Sequence, residues 1–237
     1  MKKFSPGLLP TVMTIPAVFI MLALSVWQVD RYFWKVNLLD TLQQQLAADG
    51  VQLPSGDLSV DEWGYRRVTL NGEFQHDQEI HLFAHTLKGR KGFQIITPFV
   101  RSGGKGTVLV NRGWVPEEKK EAAARPEGNI RGEIEISGIA RKPWEKSYSF
   151  LPESNAETNV WLYGELDDMA KTLGITVSPL FVELDVMTVP GGLPIGGQTR
   201  MSVPNNHIEY AVTWFGMGGA MFVIYLLFGF RRARPTS

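Results

Sequence analysis

The chain has 237 residues, 44% of them apolar, and its 24 basic and 24 acidic side chains sum to zero formal charge. That balance excludes a histone-like or polybasic nucleic-acid binder, and the apolar share excludes an acidic disordered chain. The absence of cysteine excludes disulfide scaffolds, thiolate-held zinc or iron–sulfur centres and thiol catalysis.

The zero is an average over unlike parts. Between Lys3 and Asp30 lie 26 consecutive uncharged residues, and between Glu209 and Arg231 lie 21 more. A helix rises about 1.5 Å per residue, so about 20 residues cross a hydrocarbon core roughly 30 Å thick. Both stretches are therefore expected to span a membrane, at 8–29 and 210–230. Pro10 and Pro16 in the first are better tolerated in a membrane helix than in a soluble one. A signal peptide cleaved near Ala23-Leu24-Ser25 is the competing reading, but the apolar run exceeds the usual length of about 7–15 residues.

From Arg31 to about Ala48, Trp34, Leu38, Leu42 and Gln45 recur at helical spacing, and Gly50 and Pro54 close the helix. Short runs of β-formers follow at Tyr65–Leu70, Glu79–Leu87, Phe93–Val100, Thr107–Val115, Gly132–Ala140 and Leu180–Asp185. Asn71-Gly72 and the Ser102–Thr107 stretch are expected to be turns, the second a hairpin because it leads into a strand rather than a helix. His81 and His85 would share a strand face roughly 13 Å apart, too far to hold one metal, so a surface role is expected. Two short helices are expected, at about Pro116–Ala124 and Glu165–Leu173. The fold class is a membrane protein of α+β type: two terminal transmembrane helices flank a mainly antiparallel β domain, barrel-like or an open sheet, with a few helices.

The glycine-rich stretch Pro190–Arg200, with Gly191, Gly192, Gly196 and Gly197, is too particular in composition for a tether and is expected to be a structured contact surface. His207 follows Pro204-Asn205-Asn206, an expected helix start, and shares a helical face with Ala211, Trp214 and Gly218. Trp27 and Gln28 end the first span at a similar depth. An ionisable residue at the membrane surface is a functional candidate; the bland alternative is a histidine that only caps or hydrogen-bonds. Gly216 and Ala220 form a small-xxx-small pair, suited to packing of the two spans or to a partner helix. Asn111-Arg112-Gly113-Trp114 fits a strand end where Arg112 pairs with a carboxylate and Trp114 enters the core. No nucleophile or acid–base constellation is present, so no enzyme is expected. Met187, Met201 and His207 are soft or borderline donors, but zero cysteine argues against copper carriage.

Flanking charge supplies an orientation. Lys2 and Lys3 precede the first span and Arg231, Arg232 and Arg234 follow the second. Short basic tails stay cytoplasmic, so tails 1–7 and 231–237 should face inward and 30–209 should lie outside the cytoplasm. The tails take five of the positive charges, leaving 19 against 24 negative in the middle domain. The start lacks an Arg- and Ser-rich transit segment, so a bacterial plasma membrane with a periplasmic domain is expected.

Several motifs occur in a fixed order between the spans. They are Trp27-Gln28-x-x-Arg31-x-x-x-Lys35, Tyr65-Arg66 with Gly72-x-Phe74, Thr97-Pro98-Phe99, Val110–Pro116, Phe150-x-Pro152-x-x-Asn155, Val189–Gly192 through Ile195–Arg200, and Asn206-His207-x-x-Tyr210-Ala211-x-Thr213-Trp214-Phe215. Over about residues 20–220 the chain closely resembles the surfeit-locus protein 1 family of cytochrome c oxidase assembly factors; Ser25 stands where many relatives have glycine. The resemblance implies help in maturing the catalytic subunit of a haem–copper oxidase, with haem a insertion as the leading role and His207 as the haem ligand. Arg31 and Arg200 would face the propionates and Trp214 would line the groove. The partners implied are cytochrome c oxidase subunit I, haem a synthase and membrane lipid, with no nucleic acid. A cofactor-free scaffold holding an oxidase intermediate is the alternative, with Trp27, Gln28, Gly191, Gly192, Gly196, Gly197, Gly216 and Ala220 as partner contacts.

Overall fold

The computed structural model describes residues 4–56, 58–87, 89–144, 146–198 and 204–232. Its helices are α1 (Leu8–Ala47), α2 (Val60–Trp63), α3 (Leu166–Leu173) and α4 (His207–Arg232). The chain divides into two compact units, Met1–Thr41 with Met201–Ser237, and Leu42–Arg200.

In the first unit, α1 and α4 are long and apolar enough to cross a membrane. No residue of α1 is buried, and α4 buries only Ala211, Gly218, Tyr225 and Gly229. Leu8, Phe19, Phe215 and Ile224 stay largely exposed, a surface that water disfavours and lipid accepts. Ala211, Gly218 and Tyr225 recur every seven residues and form a seam against α1. A Cβ added at Gly218 would stand 3.4 Å from Met21 Cβ. Ser25 Oγ donates to the Ala211 carbonyl at 2.9 Å, and the Thr11 and Tyr225 hydroxyls meet at 2.8 Å. The packing uses Gly218, not the Gly216/Ala220 pair: nothing lies within 4 Å of a Cβ at Gly216, and Ala220 is exposed. Two residues along a helix turn the chain by about 200°, which carries Gly216 away from the seam.

The second unit is built on eight strands: β1 (Val51–Gln52), β2 (Arg67–Phe74), β3 (Ile80–Leu87), β4 (Arg90–Arg101), β5 (Thr107–Pro116), β6 (Ile134–Arg141), β7 (Val160–Trp161) and β8 (Val177–Leu184). Five of them close a barrel in the order β2–β6–β8–β5–β4, with β4 returning to β2. The β5–β8 pair is parallel and the other four barrel pairs are antiparallel. Such Greek-key closure is that of OB-type barrels, a fold that by itself assigns no function. The hairpin expected at 102–107 joins β4 to β5, with Arg101 N donating to the Gly106 carbonyl at 3.0 Å. α3 lies where a helix was expected.

Asn71-Gly72 is not a turn. Both residues lie inside β2, paired with Glu135 and Ile134 of β6, and Gly72 also pairs with Arg101 of β4. A Cβ at Gly72 would stand 2.1 Å from the Val100 carbonyl oxygen. Glycine is needed where β2 passes from one neighbour to the other and the barrel closes. The helix expected at Pro116–Ala124 is replaced by the 3₁₀ turns Glu117–Lys119 and Ala122–Ala124. Side chains take the carbonyls an α-helix would use: Arg125 Nε donates to Lys119 O at 3.1 Å, Asn129 Nδ2 to Ala122 O at 3.1 Å and Lys119 Nζ to Ala124 O at 2.7 Å.

The barrel core holds Val68, Leu70, Phe99, Val108, Val110, Ile136, Leu180 and Val182. A second cluster, with Ile80, Leu82, Ile96, Leu109, Trp161, Met169 and Phe181, packs α3 and β7 on the barrel. Residues of β5 from Val108 to Pro116 are all buried: Val108 and Val110 point into the barrel core, and Leu109 on the other face packs with the α3 and β7 cluster.

Candidate functional site

α4 starts at His207, and Tyr210 N donates to the Asn206 carbonyl at 3.2 Å, so the first turn is seeded by the Pro204-Asn205-Asn206 segment. His207 is part-buried. Its Nδ1 meets Gln28 Oε1 of α1 at 2.7 Å. An amide oxygen accepts only, so Nδ1 carries the proton, and Nε2 holds the lone pair of the neutral ring. Fixing one ring nitrogen by an oxygen acceptor is how ligating histidines are oriented. Lys35 Nζ donates to the Pro204 carbonyl, tying the start of α4 to α1 a second time.

The other candidates near this end are placed as follows. Trp27 is 54% exposed. The Arg31 guanidinium lies 3.9 Å over the Trp34 ring, and Trp214 is part-buried on the His207 face of α4. Arg200 and Met201 lie outside the described residues. Pro10, Thr14, Met21, Met217, Ala220, Met221, Tyr225 and Phe228 line an apolar groove of about 610 Å³ on the helix pair. Among the described residues no three His, Cys, Asp or Glu groups gather to hold a metal ion. The residues that remain at this end are one imidazole, held through Nδ1, on an apolar helix pair.

Gly191, Gly192, Gly196 and Gly197 belong to the barrel unit, and their loop is fixed to it. Trp114 and Ile195 exchange backbone bonds of 2.9 and 2.8 Å, and Gly197 N donates to Leu184 O at 3.0 Å. Gly113 has φ 115°, and a Cβ there would stand 2.0 Å from the Ile195 carbonyl oxygen. Gly191 and Gly192 remain exposed at the tip.

Three polar features of the barrel unit were not foreseen as such. Arg112 is 1% exposed and lies inside β5 rather than at the strand end expected, but it does pair with a carboxylate, Glu79 (Nη1 to Oε1, 2.9 Å). Arg125 joins the same carboxylate, and His76 Nδ1 lies 3.1 Å from Arg112 Nη1. Burial pushes the Glu79 carboxyl up, but hydrogen bonds with His76 and Arg125 and the charges of both arginines hold it below its ordinary value. Burial pulls Arg112 down to about 10 against the opposing pull of Glu79. The spacing of residues 79, 112 and 125 carries no local signal; only the strand register brings them together.

His81 is not on the surface. It is 3% exposed, neither ring nitrogen finds a partner, and burial lowers its pKa. On one face of β3, Ile80 and Leu82 pack with Trp161, Leu166 and Met169, and on the other the His81 ring meets Phe93 with centroids 6.3 Å apart. The side chain of His85 lies outside what the structure describes. Arg101, at the end of β4, is 4% exposed and donates only to backbone carbonyls among the described residues.

The sequence model of the SURF1 family matches residues 15–219. The chain is 37% identical to surfeit locus protein 1 of Rattus norvegicus over 212 residues, covering 83% of this chain and 68% of the rat protein. It is 36% identical to surfeit locus protein 1 of Homo sapiens over 213 residues, covering 83% and 70%. A SURF1-like protein of Monosiga brevicollis is 30% identical over 236 residues, 95% of this chain and 88% of that one. The match runs through the α1 span, the whole barrel and the first half of α4. The chain belongs to the SURF1 family.

Proposed function

We propose that this chain is a membrane-bound assembly factor for a haem–copper cytochrome c oxidase and holds haem a through His207 while subunit I matures. The contact that carries this reading is His207 Nδ1 to Gln28 Oε1 at 2.7 Å, which leaves Nε2 as the one nitrogen able to ligate. Haem iron supplies the coordination; the residues of this chain orient and shield it. Gln28 fixes the tautomer, Trp27 adjoins Gln28 in the chain, Trp214 lies two turns along the His207 face of α4, and Arg31 brings positive charge for propionates one turn from Gln28. The apolar groove on α1 and α4 suits an isoprenoid tail better than water. Subunit I and haem a synthase are the partners of this reading. On this reading the helices lie in a bacterial plasma membrane with both termini cytoplasmic and the barrel periplasmic; the excess of Lys and Arg in the short tails supports that orientation.

Purification from cells that make haem a tests it. A haem spectrum is expected in the parent, lost in His207→Ala and weakened about 10–100-fold in apparent affinity in Gln28→Leu. A parent without haem, or a spectrum unchanged in His207→Ala, would sink the ligand assignment. A second reading, a scaffold without cofactor, is favoured by the outward direction of Gly216, which leaves a slim helix face open to a partner helix. It requires that His207→Ala preserve oxidase assembly while Gly216→Leu damages it.

A further inference from the structure

The helix pair holds a cation that the haem reading has not used. Three contacts mark the seam of α1 with α4 and the residues leading into it. Ser25 Oγ donates to the Ala211 carbonyl, Gln28 Oε1 accepts from His207 Nδ1, and Lys35 Nζ donates to the Pro204 carbonyl. Positions 25, 28 and 35 rise along α1 as 211, 207 and 204 fall in the antiparallel segment, so the three contacts share one face of α1. Lys35 therefore holds its ammonium three residues before His207, at the imidazole's end of the seam.

Arg31 is nearer to Gln28 in sequence but is turned elsewhere. A helix advances about 100° per residue, which puts Lys35 about 20° and Arg31 about 60° from the direction of Gln28. The Arg31 guanidinium leans further from the seam, 3.9 Å over the ring of Trp34, which is 50% exposed. Lys35 is half-buried. An ammonium has three N–H donors, and the Pro204 carbonyl takes one. No carboxylate among the described residues pairs with it. Asp30 and Glu209, the acids beside Gln28 and His207 in sequence, are exposed and form no ion pair with it. The undescribed stretch 199–203 that precedes Pro204 contains no acid. A partly desolvated ammonium with two unspent donors favours an anionic group.

The haem assigned to His207 carries two carboxylates on one edge of an otherwise apolar ring. We propose that Lys35 receives one of these propionates, with Arg31 left to the other from the outer face. The proposal rests on the haem reading of His207. It makes Lys35 a specificity residue, which selects a carboxylate-bearing ring over a neutral ring of the same shape.

The test uses the full chain, purified in detergent free of haem and titrated with hemin and with hemin dimethyl ester, whose propionates are uncharged. Binding is followed by the Soret band. The parent should prefer hemin to the ester. Lys35→Met should bind hemin about tenfold more weakly and the ester as the parent does, with the Soret position unchanged because His207 still ligates. Lys35→Arg, which restores charge and donors, should recover the preference for hemin. Lys35→Met also loses the Pro204 contact, so the ratio of the two ligands is the readout: a purely structural role weakens both by the same factor. An equal loss for both, or hemin binding unchanged in Lys35→Met, overturns the Lys35 assignment and leaves His207 standing. A parent that binds no hemin, or hemin binding unchanged in His207→Ala, overturns the haem reading and this assignment with it.

Discussion

Glu79→Gln isolates the electrostatics of the barrel unit. It keeps the side-chain shape but leaves Arg112 (1% exposed) and Arg125 (5% exposed) without their shared counter-charge. Removing one partner of a buried ion pair costs about 3–5 kcal/mol, and here two cations are stranded. In a domain of this size 1 kcal/mol moves the melting temperature by about 2–4 °C, so a fall on the order of 10 °C is expected by circular dichroism. The effect has a pH signature. Glu79 is held below its ordinary pKa in the folded state. The unfolded carboxyl titrates near about 4.3, so the stability Glu79 contributes is complete above that value. It is lost as pH falls through the lower folded value. Parent and variant melting curves should therefore lie apart at neutral pH and converge in acid. Equal melting temperatures at pH 7, or a gap that persists unchanged into acid, would refute the reasoning.

Other outcomes follow from single positions. His81→Leu should melt at or above the parent, since an unpartnered buried imidazole costs about 1–3 kcal/mol. Because burial depresses the His81 pKa, the parent should lose stability as pH drops below about 6.5 and the leucine variant should not; melts from pH 5 to 8 decide this. Gly113→Ala should lower stability by several kcal/mol and free the 190–198 loop to protease, because its Cβ meets the Ile195 carbonyl at 2.0 Å and its φ is 115°. Gly218→Leu should part the helix pair while Gly216→Leu leaves it intact, read by crosslinking of single cysteines placed at Met21 and Met217 in this cysteine-free chain.

What the residues alone disclose depends on whether the signal is local. The two uncharged stretches, the helical continuation to Ala47 and most strand positions follow from composition and period, because each is fixed by its own side chains. Asn71-Gly72 misleads because the pair favours a hairpin only if the flanking strands pair with each other. Here β2 continues through it, and glycine answers the approach of Val100. His81 misleads because alternation assigns one outer face, whereas that face is open at Phe83 and buried at His81. The parallel β5–β8 pair and the meeting of Glu79, Arg112 and Arg125 join residues distant in the chain. His207 is conspicuous by position, but its bond to Gln28 spans 179 positions and appears only once the helices pack.

The strand order has a consequence for how the protein is made. β8 lies between β6 and β5, yet it is the last barrel strand to leave the ribosome. Until residue 184 is out, the apolar edge of β5 and the free edge of β6 have no neighbour, and no earlier strand substitutes for it. Open edges of this kind recruit other chains, and pairings so distant in sequence form slowly. Synthesis therefore passes through a vulnerable interval that lasts until β8 has emerged. Premature stops or slow codons between β6 and β8 should be more damaging than equal delays elsewhere in the domain.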